Sequence, residues 1–315
     1  MNNKKPLVSI VIPAFNEEAG LSRISEKLIE VFETLPAYNY ELLFIDDGSD
    51  DTTLEVLGKL NVQNPKIQYL SFSRNFGHQV AVKAGLDHAR GDCVISMDAD
   101  LQHPPELIVD LLAKWQEGYD IVYTIRKDDK ELGILKRLTS HMYYRMINTL
   151  SDIKIKEGTA DFRLLDRSVV NIIRNMEENH LFLRGMIKWL GFRQCGISYT
   201  PGKRESGETK YTVRKMFSLA IEGITSFSIR PLRLATWIGI IASSIGFLYG
   251  LLALYGYLFT DWNITGWTSL IIAVIFLGGL QLITLGIIGE YIGKLFMQVK
   301  GRPNYIIKKS SLNED

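Results

Sequence analysis

Val94-Ile95-Ser96-Met97-Asp98-Ala99-Asp100-Leu101-Gln102-His103-Pro104-Pro105-Glu106 joins an apolar run to two carboxylates one residue apart. The apolar residues read as a short buried strand, and the two prolines stop it and start a new element. A strand that ends in Asp-x-Asp sets acidic oxygens at the C-terminal edge of an α/β sheet, where such sheets bind ligands. Two hard oxygen donors, with no cysteine and one histidine close by, suit Mg²⁺ or Mn²⁺ shared with a substrate phosphate and do not suit zinc. The same residues also make an ordinary strand-to-turn junction, since Asp is a good turn former. The rest of the chain favours the metal.

Working outward, Leu7 to Ile12 is a β-branched run closed by Pro13, and Leu42 to Ile45, Ile67 to Phe72, Cys93 to Met97 and Ile121 to Thr124 read as further strands. Gly20 to Leu35 has helical spacing, a second helix starts near Thr52 with Ser49 or Asp50 as its cap, and a third runs through Ala89. Strands alternating with helices predict an α/β fold, a mostly parallel sheet with helices on both faces. The first, second and fourth strands each end in polar or acidic residues, which predicts one crevice built from three loops. No Gly-x-Gly-x-x-Gly follows the first strand and no Gly-x-x-x-x-Gly-Lys-Ser/Thr occurs, so the crevice is neither a dinucleotide fingerprint nor a P-loop.

The 315 residues carry a net charge of +1, which gives no field for nucleic acid. Cys93 and Cys195 are too few for a disulfide framework and fit a reducing compartment. The apolar run after Lys4 and Lys5 is too short for a signal peptide, so the N-terminal part is expected in the cytoplasm. Leu234 to Leu258 is 25 residues without a charge, and Ile264 to Gly289 is 26 more. Each is long enough to span a bilayer core of about 30 Å. Trp237, Trp262 and Trp267 lie near the ends as interfacial anchors. Arg230 and Arg233 precede the first span, and Lys294, Lys300, Arg302, Lys308 and Lys309 follow the second. The positive-inside rule then puts both termini in the cytoplasm. Tyr211 to Arg233 reads as an amphipathic helix in the membrane interface or packed on the domain. Asp128 to Gly133 reads as a surface loop and Ser310 to Asp315 as a disordered polar tail. Gly246 and Gly250, four apart, permit close helix packing and a homo-oligomer.

Val8-Ser9-Ile10-Val11-Ile12-Pro13-Ala14-Phe15-Asn16-Glu17, then Asp46-Asp47-Gly48-Ser49, then Ser73-Arg74-Asn75-Phe76-Gly77, then Met97 to Glu106, together resemble the inverting family 2 glycosyltransferases of GT-A fold. Within them the chain is most similar to the polyprenyl-phosphate glycosyltransferases, the bactoprenol glucosyltransferase and dolichyl-phosphate mannose synthase group. The match runs over roughly residues 7 to 210, and the two spans fit the glucosyltransferase branch. The resemblance implies a GT-A domain over 1–210, an interfacial helix over 211–233, a two-helix anchor over 234–293 and a basic tail over 294–315, integral to the cytoplasmic membrane.

The same resemblance implies site residues. Pro13, Phe15, Glu17, Asp47, Ser49 and Ala99 would hold the nucleotide-sugar. Asp98 and Asp100 would bracket a divalent ion on the two phosphates, with Gln102 orienting the sugar or the ion's surroundings. Arg126, Arg204 and Lys210 would contact donor phosphate. Lys136, Arg137 and Ser140 would meet the acceptor phosphate. Asp161 is the candidate general base, although a phosphate monoester is already mostly dianionic at pH 7 and needs positioning more than deprotonation. Asp161 can equally orient the acceptor, hold a cation or pair with Arg163. The expected reaction moves glucose from UDP-glucose to a polyprenyl phosphate such as undecaprenyl phosphate. GDP-mannose or another UDP-sugar stays open as donor, as does a non-catalytic nucleotide-sugar-binding scaffold of a flippase system. A processive synthase would carry Gln-x-x-Arg-Trp and more spans, and the sequence has neither.

Overall fold

The computed structural model describes residues 5–126, 158–178, 181–200, 225, 228–259 and 266–312. Strands β1 (Leu7–Ala14), β2 (Asn39–Asp46), β3 (Ile67–Phe72) and β4 (Cys93–Ser96) alternate with helices α1 (Leu21–Glu33), α2 (Thr53–Gln63) and α3 (His78–His88). Then come α4 (Leu107–Gln116), β5 (Ile121–Arg126), β6 (Thr159–Asp166), α5 (Arg167–Arg174), α6 (Leu183–Trp189) and β7 (Gln194–Tyr199). Two long helices, α7 (Arg230–Phe259) and α8 (Trp267–Val299), precede a last strand, β8 (Ile307–Ser310).

The eight strands lie in the order β7-β5-β6-β4-β1-β2-β3-β8. β1 pairs in parallel with both β2 and β4, whereas β6 runs antiparallel between β4 and β5, and β8 runs antiparallel to β3. Side chains of a strand alternate between faces. Val8, Ile10 and Ile12 of β1 therefore pack with Leu21, Ile24 and Leu28 of α1 and Ile108 and Leu111 of α4. Val11 faces the other way, into the layer formed by α3, α5 and α6. Burial on both faces explains why these strands read as continuous apolar runs. Each such aliphatic side chain contributes about 1.5–3 kcal/mol when fully buried.

Sequence and structure differ at three places in this frame. β1 continues through Pro13 to Ala14. Val11 turns its carbonyl to Met97 on the β4 side, so Pro13, two residues on, faces where β4 has ended and its missing N–H costs no bond. α2 begins at Thr53, and its N–H donates to Asp51 Oδ1 at 3.0 Å, so neither Ser49 nor Asp50 is the cap. The tail from Ser310 to Leu312, expected to be disordered, is ordered: Ser311 exchanges hydrogen bonds with Tyr69, and Leu312 packs on the core. Pairing with β8 also covers the otherwise open edge of β3.

α7 and α8 are long and apolar enough to cross a membrane. Their Leu, Ile and Phe side chains stand exposed, and none of the most apolar stretch of α8 is buried in the protein. Of the helix expected over Tyr211 to Arg233, Arg230 to Arg233 form the first turn of α7, and most of the rest lies outside the described residues. The loop expected over Asp128 to Gly133 lies outside them as well.

Candidate active site

The chain passes from β1 to β2 and β3 on one side, then crosses back to β4 on the other, so the strand order reverses at β1. A crevice opens at such a reversal beyond the C-terminal strand ends. Here it is a cleft of about 340 Å³, within the range of small-ligand sites. Pro13, Phe15 and Glu17 come from the end of β1, Asp47 from the end of β2, and Asp98, Ala99 and Asp100 from the end of β4. These seven sequence-predicted residues share one cleft. The loop after β3 adds Asn75, Gly77 and His78, so the crevice expected from three loops is built from four.

The loops are stitched to one another by side chains. Asp47 is buried, and its carboxylate accepts from Phe76 N at 2.7 Å and Gly77 N at 2.9 Å, which fixes the loop that carries His78. Burial pushes the Asp47 carboxyl up, and the two N–H donors and His78 oppose that. Ser49 does not line the cleft; its Oγ accepts from Asn16 N at 3.0 Å and ties the β1 loop to the β2 loop. Gly48 sits at φ +69, and a Cβ there would lie 2.3 Å from the Arg74 carbonyl carbon. Only glycine fits that crossing.

Asp98 lies between two imidazoles. His78 Nε2 is 2.8 Å from its Oδ1, and His103 Nδ1 is 3.8 Å from its Oδ2. His103 is held by stacking on Phe162 at 5.2 Å. Burial pushes the Asp98 carboxyl up, with Asp161 and Asp100 adding to the rise and the two histidines opposing it. Asp100 Oδ1 accepts from Gln102 N at 3.1 Å, and Gln102 Oε1 accepts from Arg126 Nη1 at 3.4 Å. Gln102 and Arg126 thus form one chain leading away from Asp100. Among the described residues no three His, Cys, Asp or Glu side chains converge into a closed metal cage. Two carboxylates one residue apart on the cleft wall suit a divalent ion that keeps some of its ligands for a phosphate.

Asp161 reaches this edge because β6 is reversed. Arg163 pairs with Ser96, and Asp161, two residues earlier, emerges beside the end of β4, where Ser96 Oγ donates to its carbonyl at 2.7 Å. Arg184 Nε and Nη2 donate to the two carboxylate oxygens at 2.8 and 2.7 Å, and Arg163 Nη2 donates to Oδ1 at 3.1 Å. Against burial, Arg184 and then Arg163 hold the Asp161 carboxyl far below the usual carboxylate range.

Residues 9–173 match the family described as Glycosyl transferase family 2. The chain belongs to this family. In this glycosyltransferase, residues 230–295 also match the GtrB C-terminal hairpin. It is 43% identical over 302 residues to the prophage bactoprenol glucosyl transferase homolog of Escherichia coli (strain K12), covering 96% of this chain and 98% of that one. It is 44% identical over 303 residues to the SfII prophage-derived bactoprenol glucosyl transferase of Shigella flexneri, with the same coverage. It is 45% identical over 302 residues to the uncharacterized glycosyltransferase YkcC of Bacillus subtilis (strain 168), covering 96% and 93%. Among solved structures, mannosyl-3-phosphoglycerate synthase from Rubrobacter xylanophilus aligns with a TM-score of 0.47 at 15% identity, covering 82% of this chain and 78% of that one. The glycosyltransferase has the GT-A arrangement, a Rossmann-like sheet with its crevice at the β1 reversal, and two apolar helices that associate it with a membrane.

Lys136, Arg137, Ser140, Arg204 and Lys210 lie outside the described residues. The sequence reading missed His78, Asn75, Arg184 and the buried role of Arg163. His78 and Asn75 follow a strand, so the rule that picked out the other three loops applies to them too. Arg184 carries no such signal.

Proposed function

We propose that this glycosyltransferase moves a hexose from a nucleotide diphosphate-sugar, UDP-glucose first among the donors, to a polyprenyl phosphate such as undecaprenyl phosphate. The product is a polyprenyl-phosphate hexose formed with inversion at the cytoplasmic membrane face. The observation that carries this reading is the likeness to relatives named bactoprenol glucosyl transferase, which spans crevice domain and hairpin alike. A lipid-linked acceptor calls for a site tethered near the bilayer, and two membrane-associated helices supply the tether.

Phe15 and Pro13 give the cleft an apolar wall for a base, while Glu17 and Asp47 offer acceptors for ribose hydroxyls or base N–H groups. Asp98 and Asp100 would hold Mg²⁺ or Mn²⁺ together with the donor's phosphates. Such an ion supplies Lewis acidity that stabilises charge on the departing nucleotide diphosphate. Arg126, Arg204 and Lys210 fit donor phosphate, and Lys136, Arg137 and Ser140 fit acceptor phosphate, by charge and hydrogen-bonding capacity. The division at 210, 233 and 293 into catalytic domain, interfacial helix, anchor and basic tail belongs to the same reading. So does the placement of both termini in the cytoplasm, argued from the basic residues flanking the spans. Self-association through Gly246 and Gly250 is part of it too; crosslinking in native membranes that yields monomer alone would count against that.

The test is transfer of label from UDP-glucose and, in parallel, GDP-mannose to undecaprenyl phosphate in membranes, with and without EDTA. Expected is lipid-linked label from UDP-glucose that EDTA removes and Asp100→Ala abolishes. Label from GDP-mannose alone would name a mannose synthase instead. Intact nucleotide binding with no lipid-linked label from any donor would leave the scaffold.

A further inference from the structure

Among the side chains that line the cleft, Glu17, Asp47, Asp98 and Asp100 are carboxylates, which accept hydrogen bonds and, when ionised, donate none. A nucleobase presents carbonyl oxygens beside its N–H groups, so a wall of carboxylates alone would meet lone pairs with lone pairs. Two side chains on the wall can donate, His78 and Asn75. His78 Nε2 is engaged with Asp98 Oδ1 at 2.8 Å. The exposed Asn75 amide has no hydrogen-bond partner among the described residues.

The amide is unengaged, but the backbone that carries it is pinned. Arg74 Nη1 donates to the Asn75 carbonyl at 3.0 Å, and the Arg74 guanidinium lies over the Phe76 ring at 4.0 Å. Asp47 holds the next two N–H groups, those of Phe76 and Gly77. Asn75 N also crosses Gly48 so closely that a Cβ there would lie 2.7 Å from it. A side chain whose backbone is fixed before the ligand arrives costs less ordering on binding. Strands lie about 4.8 Å apart, so the end of β3 stands about 14 Å from that of β4, across β1 and β2. The cleft runs from one to the other. Phosphates held at Asp98 and Asp100 leave the base to lie toward β2 and β3, where Asp47 and Asn75 stand together.

We infer that Asn75 reads the nucleobase of the donor, and that the base it fits is uracil. Uracil carries one N–H, at N3, between two carbonyls. Asp47 accepts from that N–H, and the Asn75 amide donates to one of the flanking carbonyls. Uridine as the nucleoside comes from the proposed donor, UDP-glucose, on which this assignment rests.

The experiment is titration calorimetry of the purified full chain in detergent with Mn²⁺, using UDP, its 2-thio and 4-thio analogues, GDP and inorganic pyrophosphate. Asn75→Ala is expected to weaken UDP binding about three- to tenfold, the loss of one neutral hydrogen bond, and to change pyrophosphate binding less than twofold. Asn75→Asp, of the same shape but without the donor, is expected to weaken UDP more than tenfold. Sulfur is the poorer acceptor, so the wild type is expected to bind one thio analogue severalfold more weakly than UDP, and Asn75→Ala to bind the two alike. Should Asn75→Ala fail to fold by its melting curve, Asn75→Asp decides by the same titrations. Wild-type UDP affinity in the folded Asn75 variants overturns the inference, as does a thio penalty that Asn75→Ala leaves unchanged. Neither of those results touches the proposed donor. Wild-type protein that binds GDP and not UDP overturns the inference together with UDP-glucose as donor.

Discussion

At Asp161 two guanidiniums hold the carboxyl ionised well below its unfolded pKa of about 3.9. A folded pKa below the unfolded one contributes stability that is complete above the unfolded value and is lost as pH falls through the folded one. Melting temperature should therefore hold down to about pH 5 and decline below it, and Asp161→Asn should flatten that part of the profile. The same variant leaves Arg163 buried beside a neutral amide, and breaking a buried pair on one side costs about 3–5 kcal/mol. A loss of several degrees at pH 7 is expected, read by calorimetry in detergent; an unchanged melting temperature would contradict the burial argument. Asp47 gives a second check. Asp47→Ala strands the N–H groups of Phe76 and Gly77, at about 1–3 kcal/mol for each left unsatisfied, and frees the loop that carries His78. Lower stability and weaker UDP-glucose binding by titration calorimetry are expected together. At this scale the sequence picked out carboxylates that the fold brings to one strand edge, but not the partners they meet there. Asp98 and Asp100 are neighbours in the chain, so their convergence is written in Asp-x-Asp. Asp161 meets Arg184 only 23 positions further along the chain, and no local pattern records that meeting.

Helix α3 links several of these residues, since it starts at His78 in the crevice and lies flat on the central strand β1. At Gly85 a Cβ would fall 2.0 Å from Val11 Cγ1, so the helix sits as close as glycine allows. Two effects oppose each other in Gly85→Ala. Alanine is the better helix former by about 1 kcal/mol, whereas forcing a methyl into a packed core costs about 1–3 kcal/mol and more where backbone must move. The 2.0 Å contact decides for the second, and a net loss of stability by chemical denaturation is expected. Val11→Ala in the same chain should recover part of it, because the two side chains compete for one space. A stabilised Gly85→Ala would show that helix and strand separate easily. The strands that pack under such helices were legible because both faces are buried and their apolar runs are unbroken. β6 was not, because Asp161 and Arg163 interrupt its pattern with the charges that serve the site. β8 was not either, since every residue of Ile307–Ser310 is exposed and it is a strand only by virtue of the edge it completes.

Across the whole molecule, the two long apolar helices do not end the contacts of the chain with the sheet, because the residues beyond α8 return to it. Tyr291 OH of α8 donates to the Ser228 carbonyl at 2.6 Å just ahead of α7, which braces the two helices against each other. Gln298 Nε2 and Asn304 Nδ2 then donate to the carbonyls of Glu177 and Glu178 at 2.5 and 3.1 Å. Tyr305 stacks on Phe72 with ring centroids 5.2 Å apart, and its hydroxyl donates to Asp87 Oδ2 at 3.1 Å. Asp87 is also the partner of Lys83 at 2.5 Å, both on α3, the helix whose other end carries His78. The end of α8 is thus tied to the element that borders the crevice. None of this was legible from Arg302 to Leu312, a short polar stretch whose order depends wholly on surfaces built elsewhere in the chain. Two variants separate the tie from the anchor. Tyr305→Phe keeps the stack and loses the hydroxyl, a neutral-to-charged hydrogen bond worth about 1.5–3 kcal/mol. Tyr305→Ala loses both and should destabilise further, by an amount nearer the 3–5 kcal/mol of a buried aromatic truncation scaled down for partial exposure. Both should stay in the membrane on carbonate extraction, since α7 and α8 are untouched. The expected order of melting temperatures is wild type above Tyr305→Phe above Tyr305→Ala, with protease cleavage after α8 rising in the reverse order. Equal melting temperatures for all three would mean that the returning tail lies on the domain without holding it.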